Sequence, residues 1–234
     1  MSLTNEVVFI SGANRGIGLE FAKSALARGA KKVYAAARNP ESIPLEGVVK
    51  IKLDVTNTDD IATLRTLCSD VTLVINNAGI ARFGSFLDEG SEENSRAHFD
   101  TNFFGPLRVV KAFAPVLANN GGGAILNVLS ALSWFNSPFL ATYGASKSAT
   151  WALTNSLRQE LAGQGTLVSA LHMGLVDTEL TTDIDAPKER PEDIVARAFD
   201  GLAARQTEIL ADEQTVQIKQ TLSNPDALYL KTQR

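Results

Sequence analysis

The 234-residue chain has one cysteine, two histidines and two methionines. A lone Cys68 forms no intrachain disulfide, and His98 and His172 are too few and too far apart to build a zinc ligand set, so no metal is expected. Long apolar runs are missing too. None approaches the roughly 18 residues of a membrane span. Met1–Glu6 carries no positive charge cluster, and the apolar Val7–Ile10 is too short for a signal-peptide core. An excess of positive charge is also absent: 22 Lys and Arg stand against 26 Asp and Glu, a net charge of −4. Phosphate neutralisation needs clustered cations, so nucleic acid is not an expected partner. With 44% hydrophobic and 21% charged residues, disorder is excluded. The expectation is a cytoplasmic globular protein with no membrane partner. A single core of this length buries roughly 70–75% of the unfolded surface. No linker or composition shift divides the chain, so residues 1–234 are expected to form one domain.

What is present alternates. Val7–Ile10 is apolar at every position, which suits a strand covered on both faces. From Gly16 the period becomes helical through Ile17, Phe21, Ala25 and Leu26, up to Gly29 as a C-terminal stop. Lys32–Ala37 predicts a second strand, completing one βαβ unit. Val48–Leu53, Val71–Ile75, Ala124–Leu129, Leu167–Leu171 and Glu208–Ala211 predict further strands. Helices are predicted over Asp59–Leu67, over Ser91–Ala118 with bends at Pro106 and Pro115, over Tyr143–Leu161, and over Pro191–Ala204 with proline in the first turn. The pattern implies an α/β, Rossmann-like, doubly wound parallel sheet of about seven strands with helices on both faces.

Ser11-Gly12-Ala13-Asn14-Arg15-Gly16-Ile17-Gly18 joins the first strand to the first helix. Glycines let the backbone turn tightly against a pyrophosphate, and a helix start offers free N–H groups and partial positive charge. In the usual dinucleotide fingerprint an acidic residue about 20 positions on binds the ribose hydroxyls. Here the second strand ends in Ala36-Ala37-Arg38. A carboxylate there would repel a 2′-phosphate, whereas a guanidinium pairs with it in bidentate fashion. Arg15 adds a second cation. NADP(H) is therefore favoured over NAD; the alternative for Arg38 is a solvated loop cation.

Tyr143 and Lys147 stand at i and i+4, on one helix face about 6 Å apart along the axis. A neighbouring ammonium favours the phenolate and lowers the tyrosine pKa. Ser130, at the end of the predicted strand Ala124–Leu129, is placed to hydrogen-bond a substrate carbonyl oxygen, with Ser133 a nearby competitor.

Together these residues resemble the short-chain dehydrogenase/reductase family in its compact form, over almost the whole chain. Ser11–Gly18 is similar to that family's Thr-Gly-x-x-x-Gly-x-Gly, with Ser for the first Thr. Asn76-Asn77-Ala78-Gly79 matches its Asn-Asn-Ala-Gly, and Asp54-Val55 its Asp-Val, where the aspartate contacts the adenine amine. Asn102 falls at the family's catalytic asparagine, and Tyr143-Gly144-Ala145-Ser146-Lys147 is similar to Tyr-x-Ala-Ser-Lys. The resemblance implies an NADP-dependent oxidoreductase interconverting a carbonyl and an alcohol. Tyr143 would be general acid or base. Lys147 would lower its pKa and hold the nicotinamide ribose, Ser130 would orient the substrate, and Asn102 would hold a relay water. Cofactor contacts are implied for Gly12, Asn14, Arg15, Gly16, Ile17, Gly18, Arg38, Asp54, Val55, Asn77, Ala78, Gly79, Tyr143 and Lys147. After the sixth strand, Gly174, Val176 and Thr178 keep the family's places and are also implied in cofactor binding. Met173 replaces the family's proline, which implies a freer loop.

Trp134, Phe135, Phe139 and Leu140 lie between the catalytic Ser and Tyr. They line an apolar or aromatic substrate pocket or, equally, pack into the fold. The segment after Thr178 is short, and only Lys188 and Arg190 in it are cationic, which disfavours a strongly anionic substrate. The family's habit implies a homodimer or homotetramer through the long helices. An alternative function is a non-catalytic NADP(H)-binding sensor. Against it, a sensor has no chemical need for Asn102, Ser130, Tyr143 and Lys147 together.

Overall fold

The computed structural model describes residues 3–231. Seven strands run parallel in one sheet: β1 (Val7–Ser11), β2 (Lys32–Ala37), β3 (Val49–Lys52), β4 (Leu73–Asn76), β5 (Ala124–Val128), β6 (Leu167–His172) and β7 (Glu208–Leu210). Their order across the sheet is β3-β2-β1-β4-β5-β6-β7. Alternate side chains of each strand serve opposite faces. Val8 and Ile10 of β1 join Phe21, Ala25, Ile194 and Phe199 from α1 (Gly16–Ala27) and α6 (Pro191–Ala203). Val7 and Phe9 join the other layer, with Leu64 of α2 (Thr58–Leu67), Phe113 of α4 (Gly105–Asn119) and Leu157 of α5 (Ala141–Glu160). Both faces of the central strands are covered, so most of β1, β2 and β4 is apolar, as expected for a doubly wound sheet, while the edge strand β3 (Val-Lys-Ile-Lys) is largely exposed. Among the described residues, no helix is long and apolar enough to cross a membrane.

The predicted helix over 91–118 is not continuous. It is α3 (Ser91–Phe99), a π-helical turn over Asp100–Phe104, and then α4. Pro106 sits in the first turn of α4, directly after the wide turn, and Pro115 lies inside that helix. The wide turn is held from outside its own segment. The buried Asn102 side chain accepts from Ile80 N–H (2.9 Å) and donates to Ile80 C=O (3.0 Å) and Ser146 Oγ (2.9 Å). A helix that sequence periodicity did not indicate, α7 (Glu213–Thr221), starts at Asp212, whose carboxylate accepts from Thr215 N–H at 2.7 Å.

Strand order reverses between β1 and β4: β2 and β3 lie on one side of β1, and β4 to β7 on the other. The crevice outside the carboxyl ends of such a pair is where ligands bind in doubly wound sheets.

Candidate active site

The loop after β1 is tied to the loop after β4. Ser11 Oγ accepts from Asn77 N–H and Ala78 N–H, both at 3.1 Å. Asn77 Nδ2 donates to the carbonyls of Ser11 (3.0 Å) and Gly12 (3.1 Å). A side chain has no room in this knot. A Cβ on Gly18 would lie 2.1 Å from Gly12 O and 2.4 Å from Asn77 Nδ2, and Gly12 has φ +70. The glycines therefore let α1 begin directly under the loop, leaving its first N–H groups aimed outward.

Above the knot is a cleft of about 720 Å³. The predicted cofactor residues Gly12, Asn14, Arg15, Gly16, Ile17, Arg38, Asp54, Val55, Asn77, Ala78, Gly79 and Thr178 line it. Gly18 does not; it is buried beneath the loop. Asp54 is oriented by Thr56, whose N–H (2.9 Å) and Oγ1–H (2.7 Å) both donate to Asp54 Oδ1. The exposed Arg15 pairs with Glu179 at 2.5 Å. Motif matching missed Asn39, Thr56 and Arg82, which also line the cleft. Asn39 and Thr56 are direct chain neighbours of predicted residues, and that adjacency was the available signal.

A second cavity, of about 160 Å³, adjoins the first. Ser130, Tyr143, Lys147, Gly174 and Val176 line it, with Ile17, Asn77, Gly79 and Thr178 shared between the two. β5 delivers Ser130 at its end, in an extended conformation that opens a short 3₁₀ turn; Ser130 Oγ accepts from Leu132 N–H at 3.2 Å. Ser133, its competitor, is buried and does not line the cavity. α5 carries Tyr143 and Lys147. The buried Lys147 Nζ donates to Val128 O at 2.9 Å and stands 5.7 Å from the Tyr143 ring centroid. His98 packs edge-on against that ring at 6.0 Å. Its Nε2 accepts from Arg82 N–H (2.9 Å), so Nδ1 carries the proton toward Thr142 Oγ1 (2.9 Å). Burial, together with the Arg82 charge, holds His98 below its ordinary pKa and so keeps it neutral.

The electrostatics depart from the expected phenol acidification. Burial pushes the Tyr143 phenol up to about 12, and the Ser130 hydroxyl, within its reach, pulls weakly the other way. Burial also draws Lys147 down to about 8. Desolvation disfavours the charged form of both groups and outweighs their proximity. Tyr143 is therefore a protonated phenol at neutral pH, which suits a proton donor.

Asn102 lies in neither cavity lining. Its side chain is consumed by Ile80 and Ser146, and its carbonyl accepts from Thr150 Oγ1 at 2.8 Å. It sits directly behind Gly79, whose missing Cβ would lie 3.2 Å from Asn102 Oδ1 and 3.8 Å from Lys147 Nζ.

Of the two alternatives left open for Trp134, Phe135, Phe139 and Leu140, Trp134 takes packing into the fold. Trp134 is buried and stacks on His172 with ring centroids 3.9 Å apart, while Phe139 is exposed. Of those four residues only Leu140 reaches the cavity. The loop after β6 is well anchored despite Met173: Met173 O accepts from Ala131 N–H (2.8 Å) and Asp212 Oδ2 from Gly174 N–H (2.6 Å).

Known proteins share this arrangement. Residues 6–189 match the short chain dehydrogenase family. A short chain dehydrogenase from Burkholderia cenocepacia, solved in complex with NADP, superposes with a TM-score of 0.92 at 34% identity, covering 96% of this chain and 95% of that one. A galactitol 2-dehydrogenase of Agrobacterium fabrum is 34% identical over 80% of this chain and 76% of its own. An uncharacterized oxidoreductase of Schizosaccharomyces pombe is 31% identical over 78% of each chain. With its glycine loop, its Asn-Asn-Ala-Gly turn and its Ser, Tyr and Lys assembled on one parallel sheet, the chain belongs to the short chain dehydrogenase family.

Proposed function

We propose that the protein is an NADP-dependent oxidoreductase that reduces a carbonyl compound to its alcohol, or runs the reverse. One observation carries this: Ser130, Tyr143 and Lys147 meet in a cavity that opens onto the glycine-loop cleft. The cleft's features suit the dinucleotide. The glycine loop is a close-packed cradle in which a Cβ at Gly18 would lie 2.1 Å and one at Gly12 3.0 Å from backbone, and Arg38, with no carboxylate at the end of β2, suits a 2′-phosphate. The relative from Burkholderia cenocepacia, bound to NADP, supports the same choice.

When bound, the nicotinamide supplies the hydride, so one NADPH and one proton are consumed per carbonyl reduced and NADP⁺ is released. Every other task falls to the chain. The helix start at Gly16 and Ile17 would hold the pyrophosphate through backbone N–H groups. Ser130 Oγ orients the substrate oxygen. Tyr143 Oη donates its proton to that oxygen and takes it back in oxidation. Lys147, fixed by Val128 O, places its ammonium beside the phenol and stabilises the phenolate left after donation. Asn102 positions the Ile80–Gly79 turn behind them.

The test follows NADPH and NADH absorbance with a panel of aldehydes, ketones and diketones. The expected result is turnover of at least one carbonyl, with NADPH preferred at least tenfold. NADPH binding with no carbonyl turned over would favour the sensor alternative instead.

A further inference from the structure

Charged side chains are sharply divided between the two cavities. The cofactor cleft is lined by Arg15, Arg38, Asp54, Arg82, Asp100 and Glu179. Among the described residues the substrate cavity has a single charged group, Lys147, and its Nζ donates to Val128 O. Arg82, in the loop after β4, lines the other cleft and donates to Asn94 Oδ1 at 3.1 Å. Around Tyr143 and Ser130 the wall is Ile80, Leu132, Leu140, Leu175 and Ile184, with Phe83 and Leu180 half-exposed at the rim. Three segments build it: the loop after β4, the stretch between β5 and α5, to which that loop is paired through Gly84 N–H to Phe139 O (2.8 Å), and the segment after β6.

From this division we infer the substrate class of the proposed site: an uncharged carbonyl compound bearing an apolar group. The inference rests on the oxidoreductase reading above. A carboxylate or phosphate entering this cavity loses its hydration and gains no free cation, so it is excluded by desolvation. A polyol finds few partners there, since besides Ser130, Tyr143 and Lys147 the polar side chains of the lining are Asn77, Thr178 and Thr181 and the rest is largely apolar. Ile17, Asn77, Gly79, Gly174, Val176 and Thr178 of this lining are also implied in cofactor binding, so the substrate's apolar group falls to the side walled by Leu132, Leu140, Leu175 and Ile184. A larger substituent must run out over Phe83 and Leu180. Reduction of such a ketone consumes one NADPH and one proton and yields the secondary alcohol and NADP⁺.

The discriminating pair is methyl benzoylformate and benzoylformate, which share a carbon frame and differ in one charge. Turnover with NADPH is measured for both, beside their binding to the NADPH complex by fluorescence. The expected kcat/KM is at least 100-fold higher for the ester. Across 2-butanone to 2-hexanone it rises with each methylene, by up to roughly fourfold per step. Leu180→Arg, which places a cation at the rim, narrows the ester-to-acid ratio at least tenfold. Acid and ester within threefold of one another, or galactitol oxidised faster with NADP⁺ than 1-phenylethanol, would overturn the substrate class. Tight ester binding, weak acid binding and no turnover of either would keep the apolar class and remove the oxidoreductase reading.

Discussion

Gly18→Ala adds one methyl group where the site can least accept it. The new Cβ would lie 2.1 Å from Gly12 O, against a practical minimum of 3.0 Å, so the loop must retreat by about 0.9 Å (3.0 − 2.1). The obstacle is backbone, and the Asn77 amide closes the other side at 2.4 Å, so no rotamer change relieves it. Overpacking of this kind costs about 1–3 kcal/mol. At this chain length each kcal/mol lowers Tm by roughly 2–4 °C, giving a fall of about 2–12 °C. The larger effect is on the cofactor. A displacement near 1 Å in a positioning element can cost on the order of 10²-fold, so the NADPH Kd should rise at least tenfold. Thermal unfolding and NADPH fluorescence titration read the two effects separately. Gly90→Ala is the control: φ is +82 with no atom within 4 Å of the added Cβ, so it carries backbone strain alone and leaves NADPH affinity unchanged. A folded Gly18→Ala protein binding NADPH within twofold of wild type would refute the role assigned to this knot.

Arg38→Asp should raise the NADPH KM at least tenfold while leaving that for NADH within about threefold; equal effects would remove Arg38 from cofactor choice. Asn102→Leu orphans the N–H and C=O of Ile80, at about 1–3 kcal/mol each, so unfolding in urea should show a loss of roughly 2–6 kcal/mol; a loss below 1 would contradict the role given to the π turn. Burial lowers the fully buried His172 from 6.5 to about 4. Between those values the unfolded chain binds a proton that the native chain does not, so stability rises with pH across that window and is lost on acidification. The loss from pH 7 to pH 4 is on the order of 3 kcal/mol for this group, and His172→Asn should remove it from the urea-derived pH profile; identical profiles would contradict it.

The sheet was legible because most strands are short apolar or β-branched runs and βα junctions carry their own punctuation, such as Gly29 after α1 or Pro191 opening α6. The cleft was legible for a similar reason: its lining follows one residue after another along Gly12–Ile17 and Asn77–Gly79. What escaped depends on residues distant in sequence. The π turn at 100–104 exists because Asn102 finds the backbone of Ile80 and the hydroxyl of Ser146, which no helical period encodes. Trp134 was a candidate for the substrate wall, but its ring stacks on His172 at the end of β6. The spacing of Tyr143 and Lys147 predicted an acidified phenol. Only the fold reveals how deeply both are enclosed, and burial reverses the direction.

The proton-donor role of Tyr143 is tested most directly by one comparison: the rate of NADPH consumption by wild type and Tyr143→Phe with the best carbonyl substrate, at matched cofactor saturation. Removing only the phenolic oxygen should lower kcat by about 10²–10⁴-fold, the usual worth of a positioned acid, with NADPH Kd within threefold of wild type. A Tyr143→Phe enzyme that turns over at the wild-type rate would contradict it.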